Sequence, residues 1–229
     1  MTAPRAGSPL IVALDVSDLA KAENLAASIA SHVGMLKVGL ELFTAAGPAA
    51  VERIRPHGPV FLDLKLHDIP NTVRRAAANA GRLGAAVLTV HALGGPEMVT
   101  AAVEGAAEGA SGVGVDPPEV VAVTVLSSLA EAAGASPASL AFEAVKGGAA
   151  GAVVSGEDVR VVREALGPEP VLVVPGIRPS GQAGNDHARV LTPAEALERG
   201  ADWLVVGRPV TEAPDPRAAA AQILRGLGR

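Results

Sequence analysis

The chain has no cysteine and no tyrosine, one tryptophan and three phenylalanines, and only four lysines in 229 residues. Without cysteine there can be no disulfide, no thiolate metal ligand and no cysteine nucleophile. Aromatic residues make up 2%, and acidic side chains outnumber basic ones by 24 to 19. The chain therefore offers neither a stacking platform nor a basic field, and nucleic acid is not an expected partner. Long hydrophobic runs are also lacking. The apolar stretches are strand-sized and end in charge, as residues 10–14 do at Asp15, so no membrane span is expected. The first nine residues carry no apolar run of the signal-peptide kind, and export is not expected. Composition alone thus points to a cytoplasmic protein acting on a small molecule, with 49% hydrophobic residues available for a large core.

What is present is a rhythm. Apolar, β-branched runs begin at Leu10, Met35, Val60, Val87, Val120, Gly151, Val171 and Trp203. Patterns of helical length follow them at 19–31, 41–53, 70–83, 96–107, 139–145, 157–166, 193–198 and 217–227. Near-continuous apolar strands alternating with helices indicate a parallel sheet buried on both faces. Eight such repeats in a chain of this length predict one closed (β/α)8 TIM barrel over residues 1–229, rather than an open doubly wound sheet. The Gly/Pro-rich stretch 109–118 reads as a surface loop. The polar stretch 178–189 is long for a strand-to-helix connection and reads as a mobile loop over a site.

In such a barrel, chemistry sits at the carboxyl ends of the strands. Two of the four lysines, Lys37 and Lys65, fall inside strand runs, and Asp15 closes the first. Asp63 and Lys65 are two apart and so share a face. Facing the helix layer, those charges would be buried in hydrocarbon; facing the barrel mouth, they can pair. Any one of these residues alone is also explained by a barrel-stabilising ion pair. All four at strand ends, with Asp68 three residues beyond Lys65, point to a catalytic array. Carboxylates flanking an ammonium keep it charged, and a second lysine keeps the carboxylates ionised, so the group titrates as a unit. A fixed ammonium in a partly dry site suits the stabilisation and protonation of a carbanion.

A phosphate site is indicated at the other end of the chain. Strand 7 runs into Pro175-Gly176-Ile177-Arg178 and strand 8 into Gly207-Arg208. Barrels often bind phosphate with the loops after these two strands, and arginine adds charge-assisted hydrogen bonds.

The string from Leu62 to Thr72, LDLKLHDIPNT, contains Asp-x-Lys-x-x-Asp and resembles the signature of the orotidine 5′-phosphate decarboxylase family. Ala13-Leu14-Asp15, Lys37-Val38-Gly39, Val90-His91-Ala92, Pro175-Gly176-Ile177-Arg178 and Val206-Gly207-Arg208 resemble that family in order and spacing. The likeness spans essentially the whole chain.

The resemblance implies decarboxylation of orotidine 5′-monophosphate to uridine 5′-monophosphate in pyrimidine biosynthesis, with no metal and no organic cofactor. It assigns Asp15 and Lys37 to the ribose hydroxyls, and Asp63, Lys65 and Asp68 to the reacting carbon, with Lys37 joining the charged array. Asp68 and Thr72 would come from the partner of a homodimer with shared sites. Ser127, which by itself would read as a helix cap or turn residue, would meet the pyrimidine. Arg178, Gly207 and Arg208 would take the phosphate. The family places Asp-Gln in the loop after strand 7, whereas this chain has Asp186-His187, leaving His187 or Gln182 for that phosphate contact. His67 and His91 read as supports of the site rather than reacting groups.

Two rivals stand beside this reading. A magnesium-dependent relative, 3-keto-L-gulonate 6-phosphate decarboxylase, shares Asp-x-Lys-x-x-Asp but has an acidic residue in the place of Lys37. A non-catalytic barrel would need no aligned array at all.

Overall fold

The structure is a computed structural model describing residues 7–125, 136–178 and 191–228. Eight parallel strands, β1 (Leu10–Ala13), β2 (Met35–Gly39), β3 (Val60–Leu66), β4 (Val87–His91), β5 (Glu119–Val123), β6 (Gly151–Val153), β7 (Val171–Val174) and β8 (Trp203–Val206), pair in sequence order. β8 returns to β1, and the sheet closes as a (β/α)8 TIM barrel. Only β5 starts away from its predicted residue, one position early, so the apolar runs located the sheet almost to the residue.

Alternation along each strand sorts the side chains into two cores. Leu10, Val12, Leu36, Val38, Leu62, Leu88 and Val90 pack outward beneath the helices. Ile11, Met35, Phe61, Val87, Val121, Val173 and Trp203 form a separate cluster inside the barrel. Burying each such side chain contributes about 1.5–3 kcal/mol relative to leaving it exposed. Charges are therefore tolerated only above this floor, where the strands reach water. Lys37 and Asp63 follow the inward residues Met35 and Phe61 by two positions, which carries them to that rim on the same face.

The helices are α1 (Leu19–Ile29), α2 (Leu40–Ala46), α3 (Pro48–Ile54), α4 (Pro70–Arg82), α5 (Gly95–Ser111), α6 (Pro137–Lys146), α7 (Val159–Leu166), α8 (Pro193–Glu198), α9 (Arg208–Thr211) and α10 (Pro216–Gly226). Their starts carry ordinary capping chemistry. Asp18, Ser136 and Asp215 accept from backbone N–H groups at the first turns of α1, α6 and α10, and Thr192 with Glu195 forms a capping box on α8.

Three sequence expectations are corrected. The single helix predicted over 41–53 is two, because Gly47 turns the chain at φ 58° and Pro48 starts a new helix. The loop predicted over 109–118 begins only after Ser111, where α5 ends. A Cβ on Gly109 would lie 1.9 Å from the Ala78 carbonyl oxygen, and one on Gly105 would lie 2.1 Å from that of Arg74. These glycines let α4 and α5 touch backbone to backbone, a contact reinforced outside by Arg74 reaching Glu104 and Glu108. The short α9, directly after β8, has no counterpart among the predicted helices.

At the opposite end from the strand carboxyl termini, Arg163 donates to the carbonyls of Gly167, Pro168, Pro170 and Gly200 and to the Asp202 carboxylate. Asp202 in turn accepts from the Leu172 N–H, so one guanidinium ties α7, β7 and β8 together. Among the described residues, no helix is long and apolar enough to cross a membrane.

Candidate active site

A cavity of about 340 Å³ opens at the carboxyl ends of the strands, within the roughly 300–1,000 Å³ typical of small-ligand sites. Phe61, Val123, Val153, Val173 and Val205 line its apolar part. Asp15, Lys37, Asp63 and Lys65 supply charge from β1 to β3, and Arg178 and Arg208 supply it from beyond β7 and β8.

The four central groups form a continuous chain. Lys37 Nζ donates to Asp15 Oδ1 at 2.9 Å and stands 3.6 Å from Asp63 Oδ2. Lys65 Nζ lies 2.8 Å from each carboxylate oxygen of Asp63. Thr89, fully buried on β4, donates its hydroxyl proton to Asp63 Oδ1 at 2.9 Å. Asp63 is therefore held from three sides, with Lys37 and Asp63 almost buried and Asp15 open to solvent. Gly39 makes room for this arrangement: a Cβ there would sit 2.8 Å from Lys37 Nζ and 3.0 Å from Asp15 Oδ1.

Lys65 also has an unusual backbone. Its φ of 50° is the only positive value at a non-glycine position among the described residues. The register between β3 and β4 shifts across it, from Leu62 opposite Leu88 to Leu66 opposite Val90. A bulge of this kind re-aims a side chain, and such strain collects at functional sites.

Beyond the array, His67 and His91 stack with ring centroids 5.3 Å apart. Burial, then electrostatic interaction with His67 and Lys65, pushes the His91 imidazole below its usual range and favours its neutral form. Neither histidine lines the cavity.

Burial alone would raise the Asp63 carboxyl. The charges of Lys37 and Lys65, with hydrogen bonds from Lys65 and Thr89, outweigh it and hold Asp63 below its ordinary 3.8. Asp63 thus contributes stability that is present above pH 3.8 and is lost as pH falls through the depressed value. Lys37→Met removes the largest of the opposing causes, so the folded-state pKa of Asp63 rises and that contribution shrinks. The midpoint of acid unfolding, followed by circular dichroism, is expected to move to higher pH in Lys37→Met. An unmoved midpoint would mean that Lys37 does not hold the Asp63 charge.

The structure brings Asp15, Lys37, Asp63, Lys65, Arg178, Gly207 and Arg208 around one cavity. Asp68 and Thr72 do not line it; both are exposed on the β3–α4 side of the mouth, and Asp68 accepts from its neighbour's Ile69 N–H. Ser127, Gln182 and His187 lie outside the described residues, as does most of the stretch 178–189. Thr89 and Gly39 carry structural parts of the site that the sequence reading did not assign. For Gly39 the available signal was a glycine inside a strand, which marks a close approach. Thr89 had none, since threonine is an ordinary strand residue.

A model of the orotidine 5′-phosphate decarboxylase / HUMPS family matches residues 8–223. The chain belongs to this family. It is 55% identical over 229 residues to an orotidine 5′-phosphate decarboxylase of Anaeromyxobacter sp. strain K, covering 95% of this chain and 97% of that relative. The orotidine 5′-phosphate decarboxylase of Moorella thermoacetica is 49% identical over 93% of this chain and 90% of its own length. Among solved structures, the orotidine 5′-phosphate decarboxylase of Lactobacillus acidophilus superposes with a TM-score of 0.83 at 35% identity, over 97% of this chain and all of that one. The cavity and its array thus sit in a barrel of the orotidine 5′-phosphate decarboxylase / HUMPS family.

Proposed function

We propose that residues 1–229 form one catalytic domain that decarboxylates orotidine 5′-monophosphate to uridine 5′-monophosphate. The observation that carries this reading is the Lys65 ammonium held 2.8 Å from both Asp63 oxygens above an apolar floor. Cleavage of the bond between C6 and the carboxylate releases carbon dioxide and leaves an electron pair on C6. That vinylic carbanion is poorly delocalised, so stabilisation must come from a fixed charge. Lys65 supplies it and then donates a proton to C6, regenerating itself from solvent. Asp63, preorganised by Thr89 and Lys37, keeps the ammonium aimed and lies against the departing carboxylate.

The remaining cavity residues bind the substrate. Asp15 and Lys37 engage the ribose hydroxyls, and Arg178, Gly207 and Arg208 take the phosphate, with Ser127 and either His187 or Gln182 as further contacts. Binding energy gained at the phosphate, remote from C6, can be used to hold the reactive geometry.

Asp68 and Thr72 complete the site from a second copy of the chain. Leu40, Ile69 and Leu93, following β2, β3 and β4, are large apolar side chains left exposed on one protomer, at 54%, 66% and 39%. Their exposure beside the mouth supports an isologous dimer through this face, which would carry each protomer's Asp68 toward its partner.

The rival reading is magnesium-dependent phosphosugar chemistry, as in 3-keto-L-gulonate 6-phosphate decarboxylase. Lys37 argues against it, because its ammonium already stands between Asp15 and Asp63, where a divalent ion would need carboxylates. Following the ultraviolet absorbance of orotidine 5′-monophosphate with purified protein and excess chelator tests the proposal. Full turnover in chelator is expected. Loss of activity that magnesium restores would favour the rival, and no turnover under any condition would overturn the reading.

A further inference from the structure

We propose that Thr89 is a positioning residue for this reaction: its buried hydroxyl fixes the strained backbone of Lys65 and the carboxylate of Asp63 relative to one another. The inference rests on the decarboxylase reading for its kinetic consequence. Its structural basis is a pair of hydrogen bonds at one oxygen. Thr89 Oγ1 accepts the Lys65 backbone N–H at 2.9 Å and donates to Asp63 Oδ1 at 2.9 Å. A hydroxyl has one proton to give and lone pairs to receive, so it can serve both neighbours at once, which an aliphatic side chain cannot.

The position of Thr89 makes that service useful. It lies on β4 between Val87, which belongs to the floor inside the barrel, and His91 at the rim. Directly opposite, β3 leaves regular register so that Lys65 can adopt φ 50°. A side-chain-bearing residue does not hold a left-handed conformation without support, because its Cβ crowds the neighbouring carbonyl. The Thr89 hydroxyl receives the amide of that residue, and the same oxygen grips the carboxylate on which the Lys65 ammonium rests. One buried group therefore sets both ends of the lysine, its backbone through the amide and its Nζ through Asp63. Other charged or titratable groups around Asp63 are Lys37 from β2, with Asp15 behind it, and Lys65 itself. None of them reaches the Lys65 amide.

Thr89→Val removes the hydroxyl while keeping the shape, and Thr89→Ser keeps the hydroxyl. For Thr89→Val we expect kcat to fall on the order of 10- to 100-fold, as befits loss of a hydrogen bond to a charged group, with KM and affinity for uridine 5′-monophosphate nearly unchanged. Thr89→Ser should stay within about threefold of wild type. Amide hydrogen exchange at Lys65, which needs no substrate, should quicken in Thr89→Val and not in Thr89→Ser. A folded Thr89→Val protein with wild-type kcat and wild-type exchange at Lys65 would overturn the proposal. So would equal losses in the valine and serine variants, because serine keeps the hydroxyl and its presence would then make no difference. If Thr89→Val does not fold, Thr89→Ala set against Thr89→Ser decides by the same criteria. A wild-type protein inactive on orotidine 5′-monophosphate would instead sink the decarboxylase reading, and the exchange measurement would still judge the role of Thr89.

Discussion

Replacing Lys65 with alanine is expected to lower kcat for orotidine 5′-monophosphate by 10³-fold or more, corresponding to about 4 kcal/mol or more of lost transition-state stabilisation. The size follows from two roles held by one group. In the proposed reaction Lys65 provides the charge that stabilises the C6 electron pair and the proton that ends the reaction. Water in the cavity replaces neither, since it brings no fixed charge and must reorient as the carbanion forms. The fold should survive, because the Lys65 side chain is only part-buried and Asp63 keeps Lys37 at 3.6 Å and the Thr89 hydroxyl at 2.9 Å. Affinity for uridine 5′-monophosphate should also survive, since the proposed phosphate and ribose contacts are made by other residues. Steady-state kinetics together with product titration by calorimetry checks both halves. A folded Lys65→Ala protein turning over near the wild-type rate would overturn the mechanism.

Mixing two inactive proteins is expected to restore activity. In the proposed dimer, each site uses Lys65 of one protomer and Asp68 of the other. Lys65→Ala and Asp68→Ala homodimers then have no intact site. A heterodimer of the two has one site lacking both residues and one site with both native. Random subunit exchange makes half of the dimers hetero, so about one quarter of all sites become native, and activity should approach that fraction of wild type. The exposure of Asp68 and Thr72, together with that of Leu40, Ile69 and Leu93, is the structural motive for the experiment. Exchange must be shown independently, for instance by mass spectrometry of differently tagged subunits. Demonstrated heterodimers without activity would show that Asp68 serves its own protomer, or none.

Much of this molecule could be read from the order of its residues. The strand starts were legible because a parallel sheet covered on both faces demands uninterrupted apolar, β-branched runs, and few other structures do. Lys37, Asp63 and Lys65 stood out for the complementary reason: charge inside such runs is tolerated only at the rim. The helix boundaries were less legible. Gly109 reads as a loop residue, yet it lies inside α5, because the lack of a side chain serves contact with Ala78 rather than a turn. Nothing local separates those two uses of glycine. Gly47 followed by Pro48 did carry a local signal for the break between α2 and α3, which the helical periodicity on either side concealed.

The sequence by itself determined the kind of fold and the charged groups placed at the strand ends, because periodicity and the cost of burying charge act on each strand separately. Only the tertiary structure decided how those groups are joined. Asp63 lies between Lys37 and Lys65 because β2 and β3 are neighbours in register. Thr89, indistinguishable in sequence from any strand threonine, became part of the array because the register shift opposite it turns the Lys65 amide toward its hydroxyl. Spacing along a strand states which face a side chain takes. Which partner waits there depends on the strand alongside, and that relation exists only once the barrel has closed.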